Sequence, residues 1–184
     1  MICEKKGFVI WVTGLSGSGK STFSNLIVNY IQKEYSTKIL HLDGDVLREI
    51  FSNKNYSIDE RKKISFQYSN LCKFLTIQNL NIVISTISMF NEVRKWNKKN
   101  IYNYFEIYIN SSLNTLIKRD KNNLYSKALK GEIKNVIGID ADYDEPRNPD
   151  IQVLNNSNKS INDVYNEIIN NIDLDSFLKN QFKV

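Results

Sequence analysis

The sequence predicts an α/β domain, a parallel β-sheet flanked by helices, and three observations carry that expectation. Short apolar runs alternate with helical patterns along the chain, an order that builds a parallel sheet. The first apolar run, Gly7–Thr13, feeds directly into Gly14-Leu15-Ser16-Gly17-Ser18-Gly19-Lys20-Ser21-Thr22, which fits G-x-x-x-x-G-K-[ST], and a helical pattern follows from Lys20. The second run ends in Asp43-Gly44-Asp45, two carboxylates at a strand's C-terminal end, where ligands of open parallel sheets bind.

Each residue type in the first loop has a physical job. Gly14, Gly17 and Gly19 let the backbone turn tightly and approach phosphate, so that N–H groups point at an anion. The dipole of the following helix adds positive potential. Lys20 is expected to reach the β- and γ-phosphates, and the Ser21 hydroxyl to ligate Mg²⁺. A nucleoside triphosphate is the expected ligand.

Along the rest of the chain, Ser21–Glu34 reads as a helix with Phe23, Leu26, Ile27, Tyr30 and Ile31 on one face. Lys38–Leu42 is a short buried strand, and Arg48 lies one turn past Asp45. Phe51–Tyr56 is loop-like. Ser57 is a helix cap with Glu60 at the capping-box position, opening a long helix with Ile64, Tyr68, Leu71, Cys72 and Leu75 inward. Asn81–Thr86 is the third strand, with Ser88 just beyond it, and Glu92–Asn100 is a basic helix. Tyr104–Ile109 is the fourth strand and Leu113–Asp120 a short helix. Lys121–Arg147 is polar and Lys-rich, with Gly131, Gly138 and Pro146, a composition that suits a mobile lid over about 121–147. Ile151–Leu154 is the last strand, and Ser160 caps a helix with Ile161, Val164, Tyr165, Ile168, Ile169 and Ile172 at helical spacing. No internal repeat or dividing linker is visible, so residues 1–184 read as one domain.

Composition narrows the class. A net charge of +5 could suit nucleic acid, but the Lys residues are scattered rather than gathered into a stripe, and a polyphosphate site needs surplus positive charge in any case. A nucleic-acid polymer is therefore not an expected partner. No apolar run is long enough for a membrane span, and the charged start before the first strand does not suit a signal peptide. Only Cys3 and Cys72 are present, which excludes a disulfide framework and a Cys-based zinc site. The expected location is cytoplasmic. His41, the only histidine, falls inside a strand and is given no role.

Gly14–Thr22 (GLSGSGKST), Leu42–Arg48 (LDGDVLR), Tyr56–Arg61 (YSIDER), Ile87-Ser88, Arg119-Asp120, Leu124-Tyr125 and Gly131–Asp140 (GEIKNVIGID) resemble the adenylyl-sulfate kinase family, in order, from about Phe8 to Leu154. The resemblance implies a P-loop kinase fold and transfer of the γ-phosphoryl of MgATP to the 3′-hydroxyl of a nucleotide with a modified 5′-phosphate. It places Ser16, Ser18 and Thr22 with the rest of the loop around ATP, with Arg119 and Lys127 approaching from the lid side. Asp45 becomes the carboxylate that takes the proton of the acceptor hydroxyl, and Asp43 supports Mg²⁺ through water. Arg48 and Arg61 would hold the acceptor's phosphates, although a solvated helix face is an equal reading of Arg61. Tyr56, Ile87, Ser88, Lys134, Val136 and Ile137 would complete the acceptor end. A homodimer is left open.

The departures concentrate at that end. Ile64-Ser65-Phe66-Gln67 stands where the family has Asn-Ile-Arg-Arg, Ile87-Ser88-Met89-Phe90-Asn91 replaces Ile-Ser-Pro-Tyr-Arg, and Asn122-Asn123 precedes Leu124-Tyr125 in place of Lys-Gly. In the family two phenylalanines sandwich the acceptor adenine; their counterparts here are Tyr56 and Val136. A purine thus loses one stacking face, worth roughly 1–3 kcal/mol. The pattern is similar to the cytidine diphosphoramidate kinase branch, which serves capsular phosphoramidate assembly. Adenylyl sulfate is the alternative acceptor, and a nucleotide-binding regulator without catalysis is the alternative of another class.

Overall fold

The protein is described by a computed structural model covering residues 6–156 and 158–175. Among these, five strands, β1 (Phe8–Thr13), β2 (Ile39–Asp43), β3 (Asn81–Thr86), β4 (Asn103–Asn110) and β5 (Ile151–Leu154), form one sheet in the order β2-β3-β1-β4-β5. Every pairing is parallel. The helices are α1 (Lys20–Tyr35), α2 (Gly44–Ile50), α3 (Ile58–Ile77), α4 (Asn91–Asn100), α5 (Leu113–Arg119), α6 (Leu124–Leu129) and α7 (Ile161–Asn171).

Helices on both faces explain the strand sequences. All six residues of β1 and all six of β3 are buried, so β1 is a near-continuous apolar run and β3 has an apolar centre, Ile82-Val83-Ile84, whereas the edge strand β5 alternates buried and exposed positions. Phe8, Ile10 and Val12 pack with Phe23 and Ile27 of α1 and Val164 and Ile168 of α7. Val9 and Trp11 point to the opposite face, against Ile64, Tyr68 and Cys72 of α3. Burial pushes the Cys72 thiol up to about 12, which keeps it unreactive, while Cys3 lies outside the described residues. No described helix is long and apolar enough to cross a membrane.

The structure departs from the expected elements in four places. Strand β2, expected to be buried, lies at the sheet edge, and only Ile39 in it is fully buried. Residues 44–50, for which the sequence suggests no element, form helix α2, because the Asp43 carboxylate caps its first turn by accepting from the Asp45 N–H. At α3 the Ser57 hydroxyl accepts from the Glu60 N–H, but Glu60 turns its own carboxylate to Asn53 and Lys63. Ile161, expected on the inner face of α7, is exposed.

The segment 121–147 is more ordered than its polar composition suggests. It opens with a 3₁₀ turn at Lys121–Asn123 and helix α6, and Tyr125, Val136 and Ile137 are buried with Leu15 and Tyr108. Asn122 and Asn123 both take left-handed backbone, at φ 59° and 56°. Asn tolerates that region better than most non-glycine residues, because its short side chain can hydrogen-bond locally.

Candidate active site

The C-terminal ends of β1, β2 and β3 open onto one cavity of about 700 Å³. At the end of β1, a Cβ on Gly14 would lie 2.4 Å from the Ile109 carbonyl oxygen, and one on Gly19, at φ 101°, would lie 2.8 Å from Asn155 Nδ2. Neither position can carry a side chain without shifting its neighbours. The loop between them is held from outside through its carbonyls. Tyr125 Oη donates to the Ser16 carbonyl at 2.8 Å, Arg119 Nη1 to that of Gly17 at 3.3 Å, and Asn155 Nδ2 to that of Ser18 at 2.7 Å. In a trans peptide the C=O and the following N–H point in opposite directions. Fixing the carbonyls of Ser16 and Ser18 outward therefore turns the N–H groups of Gly17 and Gly19 the other way. Helix α1 begins at Lys20 with no side-chain cap, which leaves its N-terminal amides available to an anion.

Lys20 lines the cavity, with its ammonium donating to the Leu15 carbonyl at 2.8 Å. Burial lowers its pKa to about 8, opposed by Asp45 and Asp43 and reinforced by Lys121. Asp43 Oδ2 accepts from Ser21 Oγ at 2.9 Å and Ser85 Oγ at 3.0 Å, and Oδ1 accepts from the Asp45 N–H at 2.9 Å. Burial works against the Asp43 carboxylate, but the hydrogen bonds from Ser21, Asp45 and Ser85 outweigh it and hold its pKa below the ordinary value. Asp45, in the first turn of α2, is exposed and lines the cavity, and its carboxylate makes no hydrogen bond among the described residues.

The other end of the cavity is cationic and aromatic. Arg48 Nη1 donates to Asn53 Oδ1 at 2.8 Å and to the Asn55 carbonyl at 3.1 Å. Arg61 donates to the carbonyls of Tyr56 at 2.9 Å and Asn135 at 2.8 Å, which ties the start of α3 to the 131–140 loop. The two guanidiniums stand 4.7 and 5.1 Å from the centre of the Tyr56 ring. Neither takes part in an ion pair among the described residues. Burial, and then the neighbouring Arg48, lower the Arg61 pKa to about 10. Two guanidiniums without a carboxylate partner make a receptor for an anion. The Asp140 carboxylate is near enough to oppose the shift at Arg61, but its hydrogen bonds come from the N–H groups of Asn135 and Val136, which shapes the loop.

Most of the residues singled out in the sequence meet in this cavity. Ser16, Gly17, Lys20, Ser21, Asp43 and Asp45 line one end. Arg48, Tyr56, Arg61, Val136 and Ile137 line the other, with Ile87, Lys127 and Lys134 on the walls. Several others do not reach it. Ser18 is buried behind the loop and Thr22 is exposed, away from the cavity lining. Arg119 braces the loop from behind, also donating to the Asn155 carbonyl at 3.0 Å. Ser88 is fully enclosed and donates to Ser65 Oγ at 2.8 Å, so its side chain faces α3 instead of the cavity.

Among the departures from the family pattern, Ile64 and Ser65 line the cavity, while Phe66 packs edge-on against Trp96 and Gln67 is exposed. Residues not singled out also belong to the site. Asn155 and Tyr125 orient the loop, and Lys121 lines the cavity close enough to oppose the charge of Lys20. Lys121 immediately precedes the Asn122-Asn123 pair that replaces Lys-Gly, a displaced lysine that was visible in the sequence. Among the described residues no group of three or more His, Cys, Asp or Glu could hold a metal ion. The Ser21–Asp43 oxygen pair matches Mg²⁺ instead, which takes one or two protein oxygens and fills its other positions with water and phosphate.

The family model described as adenylylsulphate kinase matches residues 6–154. A cytidine diphosphoramidate kinase of Campylobacter jejuni is 41% identical over 150 residues, covering 82% of this chain and 86% of that protein. A probable adenylyl-sulfate kinase of Pyrococcus abyssi is 35% identical over 149 residues, 80% of this chain and 85% of the relative. Among solved structures, an APS kinase of Mycobacterium tuberculosis in complex with AMPPNP and APS superposes with a TM-score of 0.80 at 30% identity, covering 90% of this chain and 97% of the other.

Proposed function

The chain belongs to the adenylylsulphate kinase family, and from that premise we propose that it transfers the γ-phosphoryl of MgATP to the 3′-hydroxyl of cytidine diphosphoramidate. One observation carries the reading: a single cavity joins phosphate-binding machinery to a separate pair of guanidiniums beside an aromatic ring. A kinase of two nucleotides needs both ends; a binding regulator needs only the first, and has no use for an exposed carboxylate between them.

The triphosphate lies over the N–H groups of Gly17 and Gly19 and the start of α1, with Lys20 on its terminal phosphates. Ser21 and Asp43 would hold Mg²⁺, which neutralises phosphate charge when bound. Arg48 and Arg61 grip the acceptor's 5′-diphosphate group, and its base lies between Tyr56 and Val136. Asp45 takes the proton of the 3′-hydroxyl as that oxygen bonds to the γ-phosphorus; the bond from the γ-phosphorus to the bridging oxygen breaks, and ADP leaves. Lys20, Lys121 and Lys127 offset the charge that shifts onto ADP. The 121–147 segment acts as the lid that excludes water, a single domain carries the whole site, and the reaction belongs in the cytoplasm. A homodimer is compatible with the family.

The acceptor base is chosen on Val136 and Ile64, where the family pattern has an aromatic ring and an asparagine. Adenylyl sulfate is the second reading, favoured by the relatives that carry that name. Incubating the protein with MgATP and a panel of 5′-modified nucleotides, read by phosphorus NMR, decides between them. A new 3′-phosphate on cytidine diphosphoramidate is the expected product. Preferential use of adenylyl sulfate establishes the second reading, and no ATP consumption with any acceptor leaves the regulator.

A further inference from the structure

We infer that the wall formed by β3 and α3 selects an acceptor base carrying an exocyclic amine over one carrying a carbonyl in the same place. This deepens the reading above and rests on it for the location of the base. The argument concerns where hydroxyl protons go.

Ser65, Tyr68, Ser85 and Thr86 line this wall, and each has one proton to give. Ser65 Oγ donates to the Arg61 carbonyl at 2.7 Å, Tyr68 Oη to the Gly44 carbonyl at 3.0 Å, and Ser85 Oγ to the Asp43 carboxylate at 3.0 Å. Thr86 Oγ1 and Ser88 Oγ lie 3.2 Å apart, and that bond alone has no fixed donor in itself. Its direction follows from the rest of the chain. The Arg61 carbonyl can only accept, so Ser65 gives its proton there. Ser65 must then accept at its 2.8 Å contact with Ser88, which spends the Ser88 proton. Thr86 is left as the donor to Ser88. Reversing the chain would place two oxygens 2.7 Å apart at Ser65 and Arg61 with no proton between them.

All four hydroxyl protons are therefore committed to protein acceptors, so this wall has none left to donate to a base in the cavity. The chain sits at the acceptor end, since Ser65 is one helical turn past Arg61, whose guanidinium bridges Tyr56 and Asn135 beside Val136. Cytosine offers its N4 amine there, whereas uracil offers O4, another acceptor. Adenine also carries an amine, so this wall separates amino from keto bases, while Val136 bears on ring size.

The test measures binding of CDP and UDP to the full chain by calorimetry, with a non-hydrolysable ATP analogue filling the triphosphate end. CDP is expected to bind roughly 10- to 100-fold more tightly, the range for leaving a buried acceptor without a donor. Ser88→Ala removes the oxygen that takes the Thr86 proton, so that proton turns to the cavity and UDP binding should improve; a purely structural loss would weaken both nucleotides. Thr86→Val deletes the lone pair and should narrow the ratio by weakening CDP. Equal binding, tighter UDP, no measurable CDP binding, or an unchanged ratio in both variants overturns the inference. Failure of phosphoryl transfer to cytidine diphosphoramidate with the CDP preference intact removes the proposed reaction and leaves the polarity of the wall standing.

Discussion

Burial pushes the ammonium of Lys20 down to about 8 even though Asp45 and Asp43 stand close enough to oppose the shift. Below that pH the free protein carries the charge already; above it the amine is neutral until triphosphate draws a proton back. ATP binding should therefore take up a proton above about pH 8, and affinity should fall by up to roughly tenfold per pH unit there. Calorimetry in two buffers of different ionisation enthalpy reads the uptake directly, and its absence at pH 9 refutes the assignment. Asp45 makes a separate prediction. Asp45→Asn keeps the shape of the first turn of α2 but removes the proton acceptor, so kcat should drop by roughly 10²–10⁴ with little change in the KM for ATP. A variant within a few-fold of the parent moves the role elsewhere. At the base, Val136→Phe restores a second aromatic face and should move the ratio of kcat/KM toward adenylyl sulfate by no more than one stacking contact, roughly 1–3 kcal/mol. No shift at all would mean that Val136 does not face the base.

Among the elements, the phosphate loop depends on a residue far away in the chain. Asn155 reaches back across 137 positions to the Ser18 carbonyl. Asn155→Ala should weaken ATP binding several-fold with a smaller effect on the acceptor. Asn155→Asp should be worse, because a carboxylate would face that carbonyl. Equal ATP affinity in all three proteins would show that the loop holds its shape alone. This contact explains what the sequence concealed. β1 and the Ile82-Val83-Ile84 centre of β3 announce themselves because burial on both faces favours apolar runs, and the glycine pattern, Asp43 and Asp45 are tied to strand ends by local rules. A contact as distant as that of Asn155 leaves no local trace. Helix α2 is only 7 residues long, too short to show a period. The segment 121–147 looked uniformly polar because its few inward residues, Tyr125, Val136 and Ile137, are spaced irregularly among lysines and asparagines. The family resemblance places Ser88 at the acceptor end, but its side chain turns into α3 to complete a hydroxyl chain.

At the scale of the whole molecule, one buried ion pair links sheet, helix and the end of the segment over the cavity. Arg94 of α4 and Glu106 of β4 meet in two hydrogen bonds of 2.6 Å, with side chains 6% and 0% exposed, and Arg94 also donates to the Arg147 carbonyl at 3.1 Å. Glu106→Gln strands a buried guanidinium and should cost about 3–5 kcal/mol, a fall in Tm on the order of 10 °C. Replacing both partners by Met and Leu should recover much of that loss, and thermal unfolding followed by circular dichroism checks both. If the single variant is as stable as the parent, the pair contributes nothing to the fold. The reach of Asn155 has a consequence in time as well as in space. A ribosome delivers Gly14–Ser21 early, but the side chain that holds the Ser18 carbonyl, and so turns the Gly19 amide inward, is among the last parts of the sheet region to emerge. A nascent chain halted before residue 155 would hold every P-loop residue and still lack one of the loop's three braces, so the full grip on triphosphate should appear late in synthesis, once β5 has docked.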